Sequence, residues 1–219
     1  MPAATPECAR PTFLPTDLTD IMPGPLPVTH LLYLHGFRSS PQSIKALKVA
    51  DWAAKQRGLT FWCPQLPPSP AQAAAEVMAT VAQWPRSQMA VMGSSLGGFY
   101  ATWVAEQTGC PAVLINPAVD PARDLAGYIG EQTHWHDPTQ TFFFQPEFVD
   151  ELRTLTVSTL TQPARYQVWA ATGDEVLDWR EMHTHYATCD MRVVQGSDHA
   201  LSCFDDHMRT MLTHLNLAT

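Results

Sequence analysis

No stretch of this 219-residue chain reaches the run of about 18 apolar residues that a membrane-crossing helix needs. The N-terminus lacks a basic head followed by an apolar core, so no secretory signal is expected. Positive charge is scarce. Against 21 Asp and Glu there are 13 Lys and Arg, a formal net charge of −8, which argues against nucleic acid or an anionic membrane as a main partner. Cysteine is sparse and unpatterned. The five (Cys8, Cys63, Cys110, Cys189, Cys203) are odd in number and contain no C-x-x-C. That excludes an obvious disulfide framework or zinc site and fits reduced thiols in the cytoplasm. Two His-x-His pairs, His134/His136 and His183/His185, have no carboxylate or cysteine at a familiar ligand spacing and read as surface histidines.

What is present is ordinary for a globular protein: 45% of residues are hydrophobic, and the length suits one domain with a sizeable core. Proline is abundant at 19 residues, clustered near the N-terminus and between Pro64 and Pro70. Residues 1–28 carry seven of them with little apolar periodicity, which predicts a poorly ordered arm ahead of a single domain over 29–219.

From Thr29 on, strands and helices alternate. A continuous apolar run at 29–34 predicts a strand buried on both faces and 112–115 another buried strand; with 59–63, 89–92, 166–171 and 191–194 about six strands are expected. Helices are expected over 41–57, 71–83, 99–107, 121–129, 147–158, 178–187 and 204–215. In the first of these, Ser39 or Ser40 is the expected cap and Ile44, Leu47, Lys48 and Ala54 carry the period. Residues 130–145 are polar and aromatic, include Phe142-Phe143-Phe144, and show no clear period; a small lid has room around 130–160. Such alternation predicts a mostly parallel sheet with helices on both faces and ligands beyond the carboxyl ends of the strands.

Every chemistry-bearing motif follows a predicted strand. Gly93-x-Ser95-x-Gly97 stands between an apolar run and a helix, the pattern of a nucleophile elbow. A sharp turn there lifts one hydroxyl clear of the sheet, and its neighbours must be small because a Cβ would collide. His35-Gly36 follows the first strand, where α/β-hydrolases place an oxyanion-hole loop, and His35 reads as a brace for that loop. Thr172-Gly173-Asp174 follows the fifth strand and Ser197-Asp198-His199 the sixth. The order Ser95, Asp174, His199 is the α/β-hydrolase order of nucleophile, acid and base. Glu175 and Asp178 are rival acids, although Asp178 looks like a helix cap, and Ser94 is a rival nucleophile not centred between glycines. Asp198 reads as loop structure, because adjacent residues seldom face one another.

Five motifs in order carry a resemblance: Leu32-Tyr33-Leu34-His35-Gly36-Phe37-x-Ser39-Ser40-Pro41, Pro64-Gln65-Leu66-Pro67-Pro68, Gly93-Ser94-Ser95-Leu96-Gly97-Gly98, Asn116-Pro117-Ala118-Val119 and Thr172-Gly173-Asp174-Glu175-Val176-Leu177-Asp178. From about Thr29 to the C-terminal helix the chain resembles the YqiA-type bacterial esterases, small single-domain α/β-hydrolases. The resemblance implies hydrolysis of a carboxylic ester or thioester in the cytoplasm, with no metal or organic cofactor. It implies Ser95, Asp174 and His199 as a catalytic triad, and the backbone N–H groups of Phe37 and Leu96 as the oxyanion hole. The first 28 residues have no counterpart in that family, and Ser197-Asp198 stands where Gly-Asn is more usual. The expected function is therefore a serine hydrolase acting through an acyl-enzyme on a small-molecule substrate. Its rivals are a non-catalytic binding module of the same fold, or a triad enzyme acting on another acyl bond, such as a peptidase or acyltransferase.

Overall fold

The computed structural model describes residues 26–217. Its strands are β1 (His30–Leu34), β2 (Thr60–Trp62), β3 (Met89–Ser94), β4 (Ala112–Ile115), β5 (Gly130–Thr133), β6 (Thr141–Phe144), β7 (Tyr166–Ala171) and β8 (Asp190–Val194). Its α-helices are α1 (Ile44–Ala53), α2 (Pro70–Val81), α3 (Leu96–Thr108), α4 (Pro121–Leu125), α5 (Glu147–Leu155), α6 (Trp179–His185) and α7 (Phe204–His214). Six strands make one sheet in the order β2-β1-β3-β4-β7-β8, and all neighbours run parallel. The four inner strands are almost wholly buried, in keeping with their mostly apolar sequences, while β2 and β8 at the edges are partly exposed.

Alternate residues feed two cores. Leu32 and Leu34 of β1 join one with the apolar faces of α2, α3 and α5; Leu31 and Tyr33 join the other with α1 and α7. Ser69 caps α2 by accepting from Gln72 N at 3.1 Å, with Pro70 at the first helical position. The arm expected over 1–28 lies outside the described residues as far as residue 25.

Three expectations are corrected. α1 begins at Ile44 after Ser43, not after Ser39 or Ser40, and its buried side is Ala46, Val49 and Ala53. Ile44 is 70% exposed and Leu47 43%, so the apolar period was read on the wrong face. Small residues let the helix approach the sheet closely, and Ile44 is left to border a cleft. α3 starts at Leu96, three residues earlier than expected, because the helix leaves directly from the elbow. Residues 130–144 form a second, antiparallel sheet, the β5–β6 hairpin, with Gly130 opposite Phe144 and Thr133 opposite Thr141. Each strand has only four residues and one partner, too little for a period to emerge.

Candidate active site

β3 ends at Ser94 and α3 begins at Leu96, so Ser95 alone makes the turn, at φ 59° and ψ −125°. A non-glycine residue in such a region costs about 1–3 kcal/mol and persists only when its surroundings over-determine it. They do. Ser95 N donates to Ile115 O at 2.9 Å, and Ser95 O accepts from Gly98 N at 2.8 Å and Ala118 N at 3.1 Å. The glycines give the space. A Cβ on Gly93 would lie 2.1 Å from Gly97 O, and one on Gly97 2.0 Å from Leu34 O. Arg38, Ser95, Asn116 and Leu201, four of the five non-glycine residues with positive φ among those described, lie just beyond strand ends or in the loop after β8.

The structure brings together the three side chains singled out in the sequence. His199 Nε2 is 3.0 Å from Ser95 Oγ, and His199 Nδ1 is 2.8 and 3.0 Å from the two carboxylate oxygens of Asp174. The Asp174 side chain is fully buried and also accepts from the backbone N–H of Val176 (2.9 Å) and Leu177 (2.8 Å), which fixes its rotamer. A carboxylate on Nδ1 assigns the proton to that nitrogen and leaves Nε2 as the acceptor facing the hydroxyl. The rival acids are engaged elsewhere. Asp178 caps α6 through Arg180 N at 2.9 Å, and Glu175 Oε2 accepts the backbone N–H of His199 at 3.0 Å. Asp198 binds Ser202 through N and Oγ, which keeps it within its own loop.

Two residues without a functional reading in the sequence hold the His199 loop. Asn116, fully buried after β4 at φ 42°, donates from Nδ2 to Asp198 O (3.1 Å) and His199 O (3.0 Å) and accepts from Ala171 N (2.8 Å). It thereby joins the ends of two central strands to the loop. Its signals in the sequence are Asn-Pro at a strand end, which reads equally well as a turn, and its place in the Asn116-Pro117-Ala118-Val119 motif. Lys45 on α1 donates from Nζ to Ala200 O at 2.6 Å. Burial pushes its pKa down to about 8, against the upward pull of Asp198 and Asp174.

A cleft of about 660 Å³ opens over Ser95 and His199, and Phe37 and Leu96 line it. Leu96 is the first residue of α3, so its N–H has no partner inside the helix. Gly36 lies against the serine: a Cβ there would be 3.1 Å from Ser95 Cβ. His35 braces this loop as expected, with Nδ1 donating to Gly36 O (3.0 Å) and Nε2 accepting from Leu66 N (3.1 Å). Both nitrogens are used by the neutral ring, and burial lowers its pKa to about 4. Phe142 and Phe144 pack edge-on against the Phe37 ring and line a small cavity of about 40 Å³ behind it, while Phe143 faces solvent.

His134 rests against Phe142, His183 against Trp179, and His185 against Tyr186. Among the described residues no three His, Cys, Asp or Glu side chains cluster to hold a metal, and no helix is long and apolar enough to cross a membrane.

Solved structures with the same architecture are α/β-hydrolases and esterases. Alpha/beta hydrolase domain-containing protein 10 from mouse superposes with a TM-score of 0.64 at 15% identity, covering 85% of this chain and 90% of that one. Est1E from Butyrivibrio proteoclasticus gives 0.63 at 14% identity, covering 89% and 91%. The esterase domain of a Rhodothermus marinus protein gives 0.60 at 20% identity, covering 86% and 84%. At such identities the likeness establishes the α/β-hydrolase fold. Kinship comes from the sequence itself: matched by its model over residues 30–216, the chain belongs to the uncharacterised protein family UPF0227, the YqiA family to which its motifs point.

Proposed function

We propose that this protein is a serine hydrolase that cleaves carboxylic esters or acyl thioesters of small molecules through an acyl-enzyme on Ser95. One observation carries the reading: the His199 imidazole bridges the Ser95 hydroxyl and the buried Asp174 carboxylate at 3.0 and 2.8 Å. A serine hydroxyl is a weak nucleophile at neutral pH and needs a base in this position. As Ser95 Oγ bonds to the acyl carbon, its proton passes to His199 Nε2, and Asp174 stabilises the imidazolium through Nδ1–H. The carbonyl electron pair moves onto oxygen, which the N–H groups of Phe37 and Leu96 receive; one such donor is worth about 3–4 kcal/mol in the barrier. Collapse expels the alcohol or thiol, which takes the proton from His199. Water then repeats the cycle on the acyl-enzyme, releasing the acid and restoring the serine. No step calls on a metal or an organic cofactor. Residues 29–219 act as one hydrolase domain. The free thiols of Cys63, Cys110, Cys189 and Cys203 fit a cytoplasmic setting.

The test is a chain-length panel of p-nitrophenyl esters and acyl-CoA thioesters on wild type and Ser95→Ala, with folding followed by circular dichroism. The expected result is turnover by wild type and a loss of roughly 1,000-fold or more in the folded variant. Ser95→Ala at full rate removes the nucleophile assignment. The better-used half of the panel sets ester against thioester.

A further inference from the structure

The β5–β6 hairpin stands apart from the main sheet, and it grips the loop that carries Phe37. Arg38 Nε donates to Thr133 O and its terminal nitrogen to Thr133 Oγ1, each at 2.6 Å. In return Trp135 N donates to Arg38 O at 2.9 Å, and the guanidinium lies 4.2 Å from the centroid of the Trp135 ring. The Phe37 ring is held edge-on by Tyr128, Phe142 and Phe144, with centroids 5.6, 5.9 and 5.3 Å away. Arg38 also has φ 58°, a left-handed conformation natural to Gly or Asn and costly for arginine. Both oxygens that it binds are neutral, so the fork is used for its rigid geometry rather than to cancel a carboxylate.

We infer that Arg38 is a positioning residue for the oxyanion hole, and that the hairpin is its fixed brace. The Phe37 N–H belongs to the Gly36–Phe37 peptide, whose carbonyl accepts from His35 Nδ1 at 3.0 Å and from Ser39 N at 3.3 Å, and the far side of Phe37 is pinned through its ring and through Arg38. The ring of Phe37 is wedged among three aromatic edges, and the side chain and carbonyl of Arg38 are tied to Thr133 and Trp135. With those anchors in place the Phe37 N–H keeps one direction; without them it turns away from the place that the substrate's carbonyl oxygen would take beside Ser95. The hairpin, residues 130–144, thus acts as a buttress for the Phe37 loop. This inference rests on the Ser95 hydrolase reading.

An oxyanion donor acts in the transition state and barely in the ground state, so the signature is a fall in kcat at steady KM. The decisive variant is Arg38→Asn. Asparagine adopts positive φ readily but is too short to reach Thr133. On p-nitrophenyl acetate, kcat is expected to fall about 10–100-fold with KM within about twofold. Affinity for a trifluoromethyl ketone, whose hemiketal oxyanion occupies the same place, is expected to fall in parallel with kcat/KM. A wild-type kcat in Arg38→Asn, or a raised KM at unchanged kcat, overturns the inference. If that variant does not fold, Thr133→Val decides, since it removes only the hydroxyl partner: a several-fold drop in kcat supports the brace and an unchanged kcat overturns it. A wild type inactive on every ester and thioester sinks the hydrolase reading and this inference with it. An active wild type with an indifferent Arg38→Asn sinks this inference alone.

Discussion

The two loops that flank Ser95 are held in opposite ways. The His199 loop is tied from inside the sheet. Asn116, rooted between β4 and β7, grips two of its carbonyls, and Glu175 and Lys45 add a contact each. The Phe37 loop has one inner tie, the buried His35, and is otherwise held from outside, by Arg38 and by aromatic edges that include the β5–β6 hairpin. The difference has a physical origin. A buried amide that serves three backbone groups cannot be removed without leaving them unpaired, so the base is fixed by the same bonds that stabilise the fold. A clamp on a hairpin beside an open cleft can be released at little cost to the core. Stability and activity are therefore coupled at Asn116 and separable at the Arg38 clamp.

Breaking Asn116 gives the largest effect. Asn116→Ala orphans Ala171 N–H and the carbonyls of Asp198 and His199, an expected loss of about 2–4 kcal/mol in a urea melt, together with about 100-fold in kcat. Unchanged stability would abolish the contrast between the two loops. The Arg38→Asn variant sharpens it from the other side. Its kcat loss is expected to come with no more than about 1 kcal/mol of stability, because it gives up exposed or half-buried hydrogen bonds.

The last effect appears only in acid and concerns His35, the anchor of the oxyanion loop that titrates there. Burial above all lowers its pKa to about 4 from an ordinary 6.5, so the folded protein refuses a proton that the unfolded chain accepts. The stability it contributes is full above pH 6.5 and is lost as pH falls toward 4, on the order of 3 kcal/mol at most. A His35→Gln variant is expected to flatten the acid limb of the melting temperature over that window. An acid limb of unchanged slope would assign the loss to other groups.

Much of this was legible from residues alone. Leu31–Leu34 and Ala112–Ile115 announce central strands because a strand covered on both faces needs a run of apolar residues, and Tyr166–Ala171 does so with one polar break at Gln167. Gly93-x-Ser95-x-Gly97 announces a turn because only hydrogen fits where Gly97 meets Leu34. What was not legible depends on partners distant in sequence. Ile44 and Leu47 look like a buried stripe, but the helix docks on smaller residues and leaves them out. The hairpin draws its strand character from pairing across a seven-residue connection and from Arg38, some 95 positions away. Asn116 carries no reactive group, and its importance lies wholly in what it ties together.

The most direct test of the central claim is labelling by a fluorophosphonate, read by mass spectrometry of the digested protein. The account predicts one adduct per wild-type chain, on the peptide that contains Ser95, with none in Ser95→Ala and labelling slowed at least about 100-fold in His199→Ala. A folded wild type that never labels, or equal rates for wild type and His199→Ala, would contradict it.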